Sequence, residues 1–233
     1  MATYILVPGG CHGGWAYDAV ARRLTAAGHG VDALTLSGLD GGPAAGVNLE
    51  RHIADVVAAI EAVDTPDAPV ILAGHSYGGM VIAGAADRLS SRVAALVFVD
   101  AFVPDDGDSV WSLTTQRYRD SFIAGAAADG LACAPSPHLD ARCRPHPPAT
   151  LVQAIRLTGA WQRVCTKNHV AATGWEGNPF VELNERLRAD PTWRTHRIDC
   201  AHDIPRLSPA ALTDILLELE LTKHGDPDAD KRS

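Results

Sequence analysis

Residues 70–79, VILAGHSYGG, constrain the fold of this chain more than any other segment. The uninterrupted apolar run Val70-Ile71-Leu72-Ala73 reads as a strand buried on both faces. It passes without a linker into Gly74-His75-Ser76-Tyr77-Gly78, and a helical pattern runs on from Met80 to Leu89. A strand that turns directly into a helix forces the central serine into a strained backbone conformation. Only small residues two places before and after it avoid a clash, and Gly74 and Gly78 stand at those places. The turn lifts the Ser76 hydroxyl above the sheet and aims the start of the helix at it, where partial positive charge favours an anion. The bland alternative is a glycine-rich strand–helix turn with an incidental serine.

The rest of the chain repeats the strand–helix rhythm. Residues 3–7 (TYILV) read as a strand ending in the turn PGGCHGG. A helical face of Trp15, Val20 and Leu24 follows and stops at Gly28-His29-Gly30. Residues 31–36 (VDALTL) are expected as a strand. A helix is predicted from Asn48, its N-cap, to Ala62, with Ile53, Val56, Val57 and Ile60 on one face. Residues 93–99 (VAALVFV) form another buried strand. After a stretch rich in Pro, Asp and Arg, a strand is predicted at 163–166, a helix at 180–188, a strand at 194–199 and an amphipathic helix at 209–221. Strands alternating with helices predict an α/β fold: a mostly parallel, twisted sheet with helices on both faces. The core is expected from 1–103 and 161–222, with a cap inserted at 104–160 and a polar, disordered tail at 223–233.

Composition removes several function classes. With 233 residues, 46% of them hydrophobic, the chain can bury one sizeable core. The net charge of −8 and the lack of clustered Lys and Arg exclude a nucleic-acid groove. No stretch approaches the roughly 18 apolar residues of a membrane span. The opening MATYILVPGG lacks the basic start of a signal peptide. The five cysteines (Cys11, Cys133, Cys143, Cys165, Cys200) are odd in number and scattered, with no CxxC pair and no zinc spacing. No metal or cofactor is expected, and a reducing cytoplasm is, although Cys133 and Cys143 are near enough in sequence for a disulfide. The expected partner is a small-molecule substrate, with a homodimer left open.

A serine nucleophile needs a base. His202, in Cys200-Ala201-His202-Asp203 between the last strand and the last helix, is the histidine in the right place; the other nine lie earlier or at His224. The small residues of Pro8-Gly9-Gly10-Cys11-His12-Gly13-Gly14-Trp15 allow a backbone N–H to approach a substrate oxygen. Gly10 is the candidate donor, with the Tyr77 N–H as the second. A phosphate loop is rejected there, because the turn is not GxGxxG and carries no P-loop lysine.

The turn PGGCHGGW, the elbow GHSYGG, the strand VFVDAFVP and the AHD segment together resemble the hydroxynitrile lyase/plant methylesterase branch of the α/β-hydrolases and its bacterial esterase-like relatives. The resemblance spans nearly the whole chain and is weakest over 104–160. It implies a Ser-His-Asp triad, a small helical cap and no cofactor, with Ser76 as nucleophile, His202 as base, and Gly10 and Tyr77 as oxyanion donors. Two departures stand out. The lyases carry a Thr in the first oxyanion turn and a Lys after the histidine. Here Gly9 or Gly10 and Asp203 occupy those places, and an anion there opposes an anionic leaving group. The family also places an Asp after the penultimate strand in a stretch like CTxD, where Cys165-Thr166-Lys167-Asn168 puts Asn168. An asparagine orients an imidazole but cannot offset its charge. Some dehalogenases and lipases of this fold take their acid from the end of the strand after the elbow helix. Asp100 holds that position and is the expected acid, ahead of Asp199 and Asp203.

In the inserted region Trp111, Tyr118 and Phe122, with Phe102 before it and Trp161 closing it, are candidates for an apolar pocket over Ser76. Phe102 and Trp111 are the expected substrate contacts, and Trp175 is expected on the outer helices. The expected chemistry is cleavage of a small to medium apolar ester, lactone or thioester through an acyl-enzyme. The alternative is a non-hydrolytic lyase, cyclase or tailoring enzyme that uses Ser76 and His202 for acid–base work. A non-catalytic binding module is a third reading, opposed by the intact Ser, His and oxyanion turn.

Overall fold

A computed structural model describes residues 1–64, 69–127 and 130–219. In chain order the elements are β1 (Thr3–Val7), α1 (Asp18–Ala26), β2 (Gly30–Ala33), α2 (Leu49–Glu61), β3 (Val70–His75), α3 (Gly78–Arg88), β4 (Val93–Val99), α4 (Val110–Leu113), α5 (Gln116–Gly125), α6 (Ala149–Val152), β5 (Thr166–Ala172), α7 (Val181–Ala189), β6 (Arg194–Ile198), α8 (Ile204–Leu207) and α9 (Pro209–Leu217). The strands form one sheet in the order β2-β1-β3-β4-β5-β6, and every pairing is parallel.

Alternate residues of each strand feed opposite cores, as the period-2 pleat dictates. Ile5, Val7, Leu72, Leu96 and Phe98 face one side, where Ile53, Val56 and Ile60 of α2 and Met80 and Ile82 of α3 cover them. Tyr4, Leu6, Ile71, Val97 and Val99 face the other, against Val20 and Leu24 of α1 and Leu212 and Leu216 of α9. Burial on both sides explains the continuous apolar runs at β3 and β4. Each fully buried Leu or Ile contributes about 1.5–3 kcal/mol. The Asn48 side chain caps α2 as expected, accepting from the Arg51 N–H at 3.0 Å.

Strand order places the site. The chain goes from β1 outward to β2, then back across β1 to β3, so the order reverses between β1 and β3. A crevice at the carboxyl ends of the strands flanking such a reversal is where open α/β sheets bind ligands. Register brings the same ends together: Val7 lies beside Gly74, and His75 beside Val99.

Two strands depart from the sequence expectation by more than a residue or two. The second strand ends at Ala33, well short of residue 36. The strand expected at 163–166 is a 3-10 turn, Ala160–Arg163, followed by β5, which begins at Thr166. The polar residues Lys167, Asn168 and His169 masked β5, although all three are buried within the sheet. The last helix starts at Pro209 as expected; the short α8 before it is an additional element, separated from α9 at Ser208-Pro209 because Pro has no N–H to continue α8. The expected end of that helix at Leu221 and the tail 223–233 lie outside the described residues. No helix among the described residues is long and apolar enough to cross a membrane.

Candidate active site

Among the described residues, three that are not glycine have positive φ: Cys11 at 66°, Ser76 at 53° and Asp100 at 43°. All three lie just beyond the carboxyl ends of adjacent strands, β1, β3 and β4. Such conformations cost on the order of 1–3 kcal/mol each and persist where the surroundings over-determine them.

At Ser76 the surroundings do so. A Cβ on Gly74 would lie 2.6 Å from the Gly78 carbonyl oxygen, and one on Gly78 would lie 2.6 Å from that of Val7. Only glycine therefore permits the turn at either place. The Ser76 N–H donates to the Val99 carbonyl at 3.2 Å, and the Ser76 carbonyl accepts from the Phe102 N–H at 3.2 Å. The elbow is thereby stitched to the chain leaving β4, which carries Asp100.

His202, in the loop between β6 and α8, meets Asp100. Its Nδ1 lies 2.7 Å from Asp100 Oδ2, while Asp100 Oδ1 accepts from the Ala172 N–H at 3.1 Å. The carboxylate is fully buried. An ionised carboxylate only accepts, so His202 Nδ1 carries the proton and Nε2 is left with a lone pair. The His202 ring is flanked by Trp175, with centroids 4.8 Å apart, and by His75 at 4.6 Å. His75 Nε2 donates to the His202 carbonyl at 2.9 Å. Burial holds the His75 imidazole well below its ordinary pKa, so it is neutral.

Ser76, His202, Gly10, Tyr77 and Phe102 all line one cavity of about 380 Å³. Among the described residues its lining contains no Asp, Glu, Lys or Arg. Val110, Thr114, Tyr118, Phe122 and Leu151 from the segment between β4 and β5 form its outer wall. Among the described residues the Gly10 and Tyr77 amides donate to nothing in the protein, whereas the neighbouring Cys11 amide donates to His146 Nδ1 at 3.2 Å. Residues with free N–H groups beyond the ends of β1 and β3 thus line the same cavity as Ser76.

Other expectations fail. Asn168 is not placed after a strand. It sits inside β5, with Oδ1 3.0 Å from His196 Nε2 of β6. The loop that does follow β5, Thr173-Gly174-Trp175, offers His202 an indole and not a carboxylate. Trp175, expected on the outer helices, lines the cavity. Trp111, expected in the pocket, faces away from it. On the short helix α4, Val110 and Thr114 share the inward face at i, i+4 spacing and Trp111 is rotated outward, where the Arg119 guanidinium lies 5.9 Å above its ring. Trp161 packs against Phe98 and Trp193 instead of closing the pocket. Asp203 does not line the cavity; Arg206 holds it at 3.1 Å.

Sequence reasoning also missed His75, His146 and Trp175. His75 lies within the recognised elbow, but nothing in the sequence marks its partner. All five cysteines are free. Burial pushes the Cys11 thiol up to about 12, so it stays protonated. No cluster of metal-ligating side chains occurs among the described residues.

Comparison with known proteins agrees with this geometry. Residues 4–215 match the sequence model of the "Alpha/beta hydrolase family". The chain is 36% identical over 245 residues to a carbendazim hydrolyzing esterase of Nocardioides sp. (strain SG-4G), covering 94% of this chain and 100% of that one. It is 39% identical over 111 residues to methylesterase 7 of Arabidopsis thaliana, a match spanning 44% of this chain and 40% of the relative. Among solved structures, an extracellular alpha/beta-hydrolase from a Paenibacillus species superposes with a TM-score of 0.81 at 22% identity, over 94% of this chain and 99% of that one. Tomato methylketone synthase I superposes with a TM-score of 0.71 at 18% identity, over 93% and 96%. The all-parallel sheet, the strained serine between β3 and α3, and the sequence match over nearly the whole chain agree: the chain belongs to the alpha/beta hydrolase family, with esterases and methylesterases among its relatives.

Proposed function

We propose that the protein is a serine carboxylesterase that cleaves small to medium, uncharged, largely apolar esters through an acyl-enzyme. The observation that carries this reading is that Ser76 and the Asp100-paired His202 line one cavity whose described lining has no Asp, Glu, Lys or Arg. Ser76 Oγ attacks the ester carbon while His202 Nε2 takes its proton. The carbonyl oxygen becomes an oxyanion that accepts from the Gly10 and Tyr77 amides. As the tetrahedral intermediate collapses, the carbon–oxygen bond to the alcohol breaks, and the imidazolium returns the proton to the leaving oxygen. Water then attacks the acyl-enzyme, with His202 again as base, and releases the acid and Ser76. Buried Asp100 offsets the imidazolium charge in both halves.

The cavity volume lies at the lower end of the roughly 300–1,000 Å³ usual for small-ligand pockets, which suits a compact substrate. Carbendazim is a reasonable member of the substrate panel, since the relative matched end to end is named for hydrolysing it. The test is labelling by a fluorophosphonate probe together with turnover of p-nitrophenyl acetate. Wild type is expected to label and to turn over, and Ser76→Ala and His202→Ala to do neither. A wild-type protein that neither labels nor turns over removes the esterase reading and favours the non-hydrolytic one.

A further inference from the structure

We propose that His146 is a positioning residue that holds the oxyanion turn in its working conformation and couples it to the seating of the substrate-facing loop. The inference rests on the esterase reading above and assigns a role to a residue outside the triad.

The turn after β1 needs outside support. Cys11 has φ 66°, a conformation that a side chain bearing a Cβ adopts only under constraint. Two hydrogen bonds from a single segment supply it. The Cys11 N–H donates to His146 Nδ1 at 3.2 Å, and the Cys11 carbonyl accepts from the Arg144 N–H at 2.9 Å. Because the Cys11 amide is used on the imidazole, it is withheld from the substrate, whereas the adjacent Gly10 amide is free to face it. The same ring packs edge-on against Tyr77, centroids 4.8 Å apart, and Tyr77 carries the other free amide. One imidazole therefore touches the residues that set both donors.

Its protons are fixed by its partners. Nδ1 accepts from Cys11, so the single ring proton is on Nε2 and is donated to Thr150 Oγ1 at 2.8 Å. Thr150 in turn donates to the Pro147 carbonyl at 2.7 Å. Tyr77 is tethered similarly. Its hydroxyl lies 2.8 Å from His52 Nδ1, and His52 Nε2 donates to the Ser37 carbonyl at 2.9 Å, so the hydroxyl is the donor. With both nitrogens engaged and the ring buried, His146 has no lone pair or proton to offer a substrate. Its backbone meanwhile pairs with Cys133 in both directions, at 2.7 and 2.8 Å. That bridge anchors the stretch from which Ala134, Pro135, Ser136 and Leu139 enter the cavity wall.

The experiment compares His146→Gln with His146→Asn on p-nitrophenyl acetate. Asparagine carries its Oδ1 on Cγ, where the imidazole carries Nδ1, and so keeps the acceptor for the Cys11 N–H; glutamine carries its amide one carbon further out, near Nε2, and keeps only the donor to Thr150. The expected result is a kcat lowered roughly 10- to 100-fold in His146→Gln, with KM within about threefold of wild type, and largely restored in His146→Asn. A trifluoromethyl ketone, whose serine adduct needs the oxyanion donors, is expected to lose affinity in His146→Gln by the same factor as kcat. The matching non-electrophilic methyl ketone is expected to bind unchanged. Equal kcat in both variants and wild type overturns the proposal. So does a loss in His146→Gln that falls equally on both ketones, which marks a general structural role. Turnover surviving in Ser76→Ala sinks the esterase reading itself, a result distinct from either.

Discussion

Replacing Asp100 with asparagine removes one charge and adds one pair of N–H donors at a site where both carboxylate oxygens already accept. Oδ1 takes the Ala172 N–H at 3.1 Å and Oδ2 takes His202 Nδ1–H at 2.7 Å. Asparagine has a single oxygen for the two. If that oxygen stays on Ala172, the amide NH2 faces His202 Nδ1. The ring must then present a lone pair there and carry its proton on Nε2, which cannot accept from Ser76. If the oxygen turns to His202, the NH2 meets the Ala172 N–H, donor against donor in a fully buried position, at a cost of about 1–3 kcal/mol. In that orientation the imidazolium formed in the reaction also lacks a countercharge. The first arrangement avoids the clash and should dominate. The wrong-tautomer penalty measured in a serine protease is about 10⁴ in kcat, so a fall of roughly 10³- to 10⁴-fold is expected here. Stopped-flow and steady-state turnover of p-nitrophenyl acetate measure it, with circular dichroism confirming the fold. KM should change little, since Asp100 does not line the cavity. A kcat for Asp100→Asn within about tenfold of wild type, in a folded protein, would refute the reasoning about the tautomer.

Two further outcomes follow from the same geometry. Trp175→Ala uncovers the His202 ring and widens the cavity, so a kcat/KM loss of about 10-fold is expected, while Trp111→Ala, outside the cavity, should leave turnover within about twofold of wild type; parallel kinetics on both variants check this. Burial holds His146 down to about 3 and His169 to about 4, below the ordinary 6.5, so the unfolded chain binds more protons than the folded one as pH falls below about 6.5. Stability is therefore lost on acidification between pH 6.5 and 4, each ring contributing up to about 1.4 kcal/mol per pH unit, and His169→Gln should flatten the slope of urea-denaturation free energy against pH over that window.

Ser76 on its elbow, His202 and Asp100 could be singled out from the sequence because each is tied to the backbone plan. Gly74 and Gly78 are demanded by carbonyl contacts, His202 by its place after the last strand, and Asp100 by its place after the strand beside the elbow. The third strand-end loop was not legible. Lys167, Asn168 and His169 interrupt the apolar pattern, yet they are buried. Lys167 Nζ reaches the Gln162 carbonyl at 2.9 Å, and Asn168 pairs with His196. A strand that opens on three buried polar side chains, only some of whose atoms find partners, carries no hydrophobic signature, so β5 was read three residues early and too short. Trp175 was then misjudged with it. Trp111 was misjudged for a different reason: one residue along a four-residue helix rotates a side chain by about 100°, and composition does not report rotation. His146 gave no signal because both its partners, a backbone amide at Cys11 and a hydroxyl at Thr150, are chosen by how the chain returns over the site.

Asp100 at the end of β4 has a consequence for how this scaffold can change. Ser76 and Asp100 belong to one continuous strand–helix–strand unit, 70–100, cross-tied by the Ser76–Val99 and Phe102–Ser76 hydrogen bonds. In the proposed mechanism the loop after β5 supplies no reacting group, and its Trp175 packs against the His202 ring. It is therefore free to lengthen, shorten or exchange its aromatic, so substrate preference can be retuned there while the Asp100–His202 pair keeps its geometry.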